Sequence, residues 1–333
     1  MKLTIADIAR LAGTSPTAVS FVLNDKDRKR VSREKRRKIL EVIAKHGYRP
    51  STAAKGLSLR RSFRIGICIA GTFERYPIVG AASHHMLVNL SAQRLNESGY
   101  GVTVRQMDAD FPATQLLDEE ADAFLFMGFT PTALDRVLSF LCEHGIPAMG
   151  LQTRASSDMP SCSWVQGDPR GSFEAGTRCL LDQGLTRIAM LDIDLARVVN
   201  ETAEKRRGYE QAMRSCGTDP LPLFGMAGST ALAAKQATRR LLAEVPDVEG
   251  VLLTDNLFAS TVQTELEGRP VRIIGFGDEI FARLCEPRLS YLRLPVEEMA
   301  ATCAEHIIQW IEAPEEHTPL QRLLQCELVM QDT

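Results

Sequence analysis

Apolar residues recur at Ile5, Ile8, Leu11 and Ala12, spacings of three and four that share one helical face. Thr4 precedes this run as a candidate N-cap, and Asp7 follows it by three residues in a capping-box arrangement. Gly13 ends the helix in a tight turn, and Ser15 caps a second helix with Pro16 at its first position. Val19, Val22 and Leu23 form the buried stripe of that second helix, leaving Pro16, Thr17, Ser20 and Phe21 to face outward. A third helix is predicted from the cap Ser32 to His46-Gly47, burying Ile39, Leu40, Val42 and Ile43.

From residue 63 onward the pattern changes. Short apolar runs at 64–70, 100–106, 123–127, 146–151, 187–191, 250–253 and 272–276 read as strands. Amphipathic segments at 86–97, 133–144, 172–183, 204–215, 231–243 and 297–311 read as helices between them, several ending at a glycine. A repeated strand–helix rhythm predicts parallel sheets covered by helices, and about 270 residues suit two such sheets better than one. No apolar run is long enough to span a membrane. The first residues, interrupted by Asp7 and Arg10, do not read as a secretion signal.

Charge sharpens the division. The whole chain carries −3, with a pI near 6.1, which argues against a polyanion partner. Residues 1–62, however, hold 16 Lys or Arg against 5 Asp or Glu, a net of +11, and the remainder holds 23 against 37, a net of −14. A basic helical head on an acidic body points to nucleic acid, with a solvated basic face as the alternative. Two short helices joined by a glycine turn form a helix-turn-helix, whose second helix enters the major groove. Arg33, Lys35, Arg36, Arg37 and Lys38 at the start of the third helix suit phosphates. The eight cysteines are scattered, with no C-x-x-C pair and no zinc spacing, and read as reduced residues of a cytoplasmic protein. His84-His85 reads as an exposed helical pair without metal chemistry.

The run TIADIARLAGTSPTAVSFVLN, followed by VSREKRRKILEVIAKHGYRPSTAAKGL, closely resembles the head of the lactose/galactose repressor (LacI/GalR) family over roughly residues 3–60. Its start and its A-A-x-G-L ending look most like the fructose repressor branch. The resemblance implies a small all-α helix-turn-helix headpiece plus an α/β two-lobed periplasmic-binding-protein-like body. It divides the chain into a DNA-binding domain at 1–50, a hinge helix and linker at 51–62, and an effector-binding and dimerisation body at 63–333. The first lobe is expected at about 63–160 and 293–318, and the second at about 161–292 and 319–333. By resemblance, Pro16, Thr17 and Phe21 occupy the base-reading positions. Ser20 is a phosphate contact, and Thr4, Ser15 and Arg33 complete the headpiece set. Phe21 could instead pack inward. Ala54 and Leu57 lie on the hinge, where the leucine wedges into a central base step and bends the DNA. Seven hinge residues with an internal Gly56 cannot hold a helix alone, so the hinge would order only with a partner hinge and DNA; a plain linker is the alternative.

Segments such as GDPRGSFEAGTRCLLDQGLTRIAML and VRIIGFGDE carry the resemblance into the body, where a small molecule is expected between the lobes at the C-terminal ends of the strands. Carried over residue by residue, Tyr76 stacks on the effector, and Gln152 falls where an acid is common. Lys205, beside Arg206, replaces an anchoring arginine. Asp255 contacts hydroxyls, and Asp278 follows Gly277, which stands where an aspartate is usual. Asp168 and Asp278 could equally cap helices, and Lys205 and Arg206 could be solvated charges. The segment 108–120 is shorter than its family counterpart and predicts a truncated helix there.

The expected function is a sequence-specific transcriptional regulator, most simply a repressor, controlled by a sugar, sugar acid or sugar phosphate. The expected partners are pseudo-palindromic operator DNA, that effector and a second copy in a homodimer. No cofactor or metal is expected, and neither is a membrane partner. The chain closes on a strand-like stretch at 323–330 without a leucine heptad that would join dimers into a tetramer. Nucleotide-binding, nucleophile-elbow and zinc-protease motifs are missing, so an enzyme is not expected.

Overall fold

Helix α1 (Ile5–Leu11) begins at Thr4, whose hydroxyl accepts the Asp7 N–H at 3.3 Å while the Asp7 carboxylate accepts the Thr4 N–H at 3.0 Å. These two bonds close the capping box and hold the Asp7 carboxyl below its usual range. The turn closes through Thr14 N–H donating to the Ala9 carbonyl at 2.9 Å. Ser15 Oγ then accepts the Ala18 N–H at 3.2 Å and starts α2 (Pro16–Leu23). Ser32 Oγ does the same for Lys35 at the start of α3 (Arg33–His46). The computed structural model describes residues 3–23, 31–48, 61–71, 81–108, 110–156, 159–193, 199–228 and 230–333.

The three helices bury Ile8, Ala9, Val19, Val22, Val31 and Ile39 against one another, with Leu23, Val42 and Ile43 packed at the margin. Leu11 and Leu40, assigned to buried stripes from the sequence, are each 47% exposed. The buried face of α1 runs through Ile5, Ile8, Ala9 and Ala12. At roughly 100° per residue, Leu11 falls well to one side of it, as Leu40 does of the Ile39–Val42–Ile43 face. Residue contacts divide the chain after Phe63 into two units, and the second begins at Arg64.

In that second unit β1 (Arg64–Ala70), α4 (Ala81–Glu97), β2 (Gly101–Met107), β3 (Ala123–Met127), α5 (Pro131–Glu143), β4 (Ala148–Leu151) and β5 (Ser163–Gly167) alternate first. They are followed by α6 (Pro169–Asp182), β6 (Ile188–Ile193), α7 (Val199–Ser215), β7 (Leu223–Met226), α8 (Ala231–Glu244) and β8 (Gly250–Leu253). Next come α9 (Ala259–Glu265), β9 (Arg272–Gly277), α10 (Glu279–Arg283), β10 (Ser290–Arg293), α11 (Val296–Glu312), β11 (Gln321–Leu324) and β12 (Glu327–Val329). The strands form two six-stranded sheets, ordered β11-β5-β4-β3-β1-β2 and β12-β10-β9-β8-β6-β7. Neighbours run parallel except β10 and β12. Between β2 and β3 the covering helix is reduced to a single 3-10 turn, Ala113–Leu116.

Two boundaries differ from those expected. Strands β5 and β11 pair with each other in the first sheet, with Leu324 opposite Gly167, instead of belonging to the second lobe. The stretch 323–330, read as one strand, is split between β11 in the first sheet and β12 in the second. The chain therefore passes between sheets three times, after Gly167, after Arg293 and after Leu324. These passages meet at Gly167, where a Cβ would stand 2.6 Å from Leu294 Cδ2 and 3.6 Å from Cys326 Sγ. Hydropathy could not reveal this, because a strand of either sheet is equally apolar and only the pairing decides its lobe. Asp168, at the first passage, caps α6 by accepting the Gly171 N–H at 3.0 Å. All eight cysteines are free thiols. Among the described residues no helix is long and apolar enough to cross a membrane.

Candidate functional site

In the headpiece the first turn of α2 presents Pro16 and Thr17 to solvent, while Ser20 and Phe21 are half-buried. Phe21 packs against the headpiece core, so it is not the outward side chain expected from the helical wheel. The hydroxyl of Thr4 donates to Asp7 Oδ2 at 2.7 Å, and that of Ser15 serves as the α2 cap. Arg33 is exposed at the first position of α3, beside exposed Lys35, Arg37 and Lys38. Lys38 and Arg37 reach Glu34 (3.4 Å) and Glu41 (3.7 Å) along the helix. Ala54 and Leu57, with the hinge that carries them, lie outside the described residues, as does Tyr76.

In the body the C-terminal ends of the second-sheet strands bring polar groups together. β6 delivers Asp192, β8 leads into Thr254 and Asp255, and β9 into Asp278. Thr254 Oγ1 donates to Asp192 Oδ1 at 2.7 Å. Asp255 Oδ1 accepts the Leu257 N–H at 2.8 Å, capping the 3-10 turn Asn256–Phe258. Burial pushes the Asp255 carboxyl up to about 6, against the opposing pull of that N–H and of Lys205. Asp278 is buried at the N-terminus of α10, and its side chain makes no cap bond there.

Helix α7 contributes Lys205, which is only 6% exposed. Its Nζ is 2.9 Å from Glu201 Oε1, donates to the Thr254 carbonyl at 3.1 Å, and stands 4.0 Å above the Phe276 ring. Gly208, one turn further on, allows this position: a Cβ there would fall 2.1 Å from the Arg170 carbonyl, so α7 lies directly against the start of α6. Burial would raise the Glu201 carboxyl, but Lys205, and His84 from α4 of the first lobe, hold it below its usual range. Arg206 does not share this place. It points to solvent and pairs with Glu210 at 2.6 Å, as helical geometry requires of the residue next to a buried one.

The first lobe adds Gln152 just past β4. Its φ of 51° is unusual for a residue with a side chain, and its Oε1 accepts the Gly167 N–H at 3.0 Å. Two residues on, Arg154 reaches Glu204 of α7 at 3.3 Å, and Glu204 also accepts from Arg207 at 2.5 Å. Arg154 and Glu204 thus tie the two lobes directly. Sequence reasoning missed Asp192, Glu201, Arg154 and Glu204. An aspartate closing an apolar strand and a Glu four residues before a Lys were available signals for the first two. Nothing local announces a pair 50 residues apart. Among the described residues no group of three or more His, Cys, Asp or Glu could hold a metal ion.

Residues 4–51 match the model described as bacterial regulatory proteins, lacI family, and residues 177–333 match that of a periplasmic binding protein-like domain. The chain is 23% identical to the HTH-type transcriptional regulator RegA of Clostridium saccharobutylicum, across 100% of this chain and 99% of that one. It is 26% identical to the fructose operon regulatory protein of Vibrio cholerae over 83% of this chain and 84% of that one. The crystal structure of the lac repressor dimer bound to operator and the anti-inducer ONPF superposes with a TM-score of 0.76 at 18% identity, covering 99% and 98% of the two chains. The head matches a model of regulatory proteins, and the fold of the chain is that of the lac repressor. The chain thus carries a capped helix-turn-helix head that matches the lacI family of bacterial regulatory proteins, followed by a periplasmic-binding-protein-like body of two sheets with three passages between them.

Proposed function

We propose that the protein is a cytoplasmic repressor that binds a pseudo-palindromic operator as a homodimer, and whose operator affinity is set by a sugar or sugar derivative held between the lobes of the body. The observation that carries this reading is the gathering of Asp192, Asp255 and Asp278 at the strand ends of the second sheet, with a direct interlobe pair from Arg154 to Glu204 of helix α7. A ligand that bridges such groups changes how the lobes sit, which is the differential contact that couples binding to a second state. Relatedness to the fructose operon regulatory protein supports placement near that branch. Free cysteines throughout support the compartment.

On the DNA side, exposed Thr17 reads base edges and Pro16 offers an apolar contact. Arg33 and its basic neighbours neutralise phosphates, while the half-buried Phe21 presents only part of its ring. Self-association is supported by exposed apolar side chains: Met86, Val104 and Leu117 in the first lobe, Ile280 (56%) on α10 and Leu284 (72%) just past its end.

The test selects binding sites from random duplexes and measures affinity across a salt series with and without a sugar panel. Several phosphate contacts predict a loss of about 10³-fold or more between 50 and 200 mM salt, and at least one sugar should change operator affinity. A flat salt dependence, or indifference to every sugar, would overturn the reading.

A further inference from the structure

We propose that Cys142 and Cys162 of the first lobe are a redox pair, which a hydroperoxide converts to a disulfide and which thereby reports oxidation to the relation between the lobes. The geometry starts on α5. Asp135, Ser139 and Cys142 follow one another by four and three residues and so form one stripe of that helix. The chain leading into β5 runs along this stripe. Asp135 Oδ1 accepts the Ser156 N–H at 2.9 Å, and Ser139 Oγ meets Met159 Sδ at 3.8 Å. Met159 N–H donates to the Ser156 carbonyl and Cys162 N–H to the Met159 carbonyl, both at 3.2 Å. Two such steps advance about 12 Å, while α5 rises about 10.5 Å from Asp135 to Cys142. The pairing of Asp135 with Ser156 and of Ser139 with Met159 therefore brings Cys142 opposite Cys162. Burial pushes the Cys162 thiol up to about 11, and Asp135 and Cys142 both add to the effect, as neighbours on that stripe must.

The two thiols are unlike, which orders the chemistry. Cys142 is exposed, whereas Cys162 is buried among Leu138, Leu141 and Met159. Hydrogen peroxide meets Cys142 first. The Cys142 sulfur attacks one peroxide oxygen, the O–O bond breaks, and water leaves behind a sulfenic acid. The Cys162 sulfur then attacks the Cys142 sulfur. The S–OH bond breaks, and the departing hydroxyl takes the Cys162 proton as a second water. Two thiols lose two electrons in all, and one peroxide is reduced to two waters. Cys216, the other exposed cysteine, lies in the second lobe just past α7.

The bond would close where the lobes are joined. Gln321 Nε2 donates to the carbonyls of Met159 and Cys162, both at 3.1 Å, and Ser163 Oγ accepts the Leu320 N–H at 3.1 Å. Cys162 thus sits at the start of β5 and β11, the paired strands from which two of the three passages leave. A tether from α5 to this point changes how those strands can shift when the lobes move. This consequence rests on the reading above that lobe arrangement sets operator affinity.

The full chain is to be oxidised with hydrogen peroxide, its remaining thiols blocked under denaturing conditions, and its peptides mapped by mass spectrometry. The expected product links the peptides of Cys142 and Cys162, is two hydrogens lighter than the reduced pair, and disappears with dithiothreitol. Operator affinity on the same samples should change at least three-fold on oxidation and return on reduction. Cys142→Ser, at an exposed position, should remove both the linked peptide and the response. Cys142 recovered only as a sulfinic acid, or linked to Cys216 or to a second copy, overturns the pairing. A Cys142–Cys162 link with unchanged operator affinity overturns the coupling to the lobes. Reduced protein that binds no duplex overturns the repressor reading instead, and the peptide map then decides the pairing by itself.

Discussion

The headpiece and the body are secured over different ranges of sequence. In the headpiece the decisive polar bonds join residues three apart: Thr4 with Asp7, Ser15 with Ala18, Ser32 with Lys35. Among the described residues its core holds six buried side chains, so each one matters. In the body the equivalent bonds span tens to more than a hundred residues: Arg154 with Glu204, Thr254 with Asp192, and Ser163 with both His306 and Leu320. Charge divides the same way, +11 on residues 1–62 and −14 on the rest. A locally wired basic unit can order quickly and present a fixed face. A unit wired over long range holds its shape through the relation of two sheets, which a ligand between them can bias.

Substitutions should separate the two regions. Ile39→Ala empties a position with no exposure in the smaller core and should cost the headpiece about 2–5 kcal/mol. Calorimetry should show the loss of operator binding with the body transition unmoved; a shifted body transition would mean that the two units do not melt independently. Gly208→Ala forces α7 from α6 and should cost the body about 1–3 kcal/mol. Effector affinity should fall, because Lys205 and Glu204 ride on the same helix, while the headpiece fold should be intact by NMR.

A pH series between 4 and 6.5 probes a group of the body. His306 is held at about 4 by burial, with His317 beside it adding to the effect, against 6.5 for the free side chain. The His306 ring nitrogen meets Ser163 Oγ at 2.9 Å, and Trp310 stacks on His317 at 3.6 Å. Because the unfolded chain takes up the proton first, this contribution is complete above pH 6.5 and is lost as pH falls toward 4. After discounting for solvent screening, it is on the order of 1 kcal/mol. His306→Asn should flatten that part of the body's stability profile; an unchanged slope would show that other groups dominate it. Smallest is Thr4→Ala, which removes one half of the capping box and should cost the headpiece about 1 kcal/mol. Its operator affinity should drop more at 37 °C than at 10 °C, and an equal drop at both would point to a lost DNA contact instead.

Legibility followed the same division. Thr4, Ser15, Ser32 and Asp168 were readable as caps because a cap acts within three residues of itself. Leu11 and Leu40 were misassigned because a spacing of three or four fits two adjacent helical faces, and only the packed partner selects one. Lys205 and Arg206 were indistinguishable as neighbours in sequence. The close approach at Gly208 turns one inward and leaves the other in water.

The sequence by itself determined that a basic helix-turn-helix precedes an acidic strand–helix body. Capping, periodicity and charge are local properties that survive without a fold. Only the tertiary structure decided which sheet takes β5 and β11, that three passages meet at Gly167, and that Arg154 ties the lobes through Glu204. It alone decided that the ammonium of Lys205 is already surrounded by Glu201, Thr254 and Phe276. These partners come from α7, the end of β8 and β9, and no pattern along the chain states that three separate elements will close on one side chain.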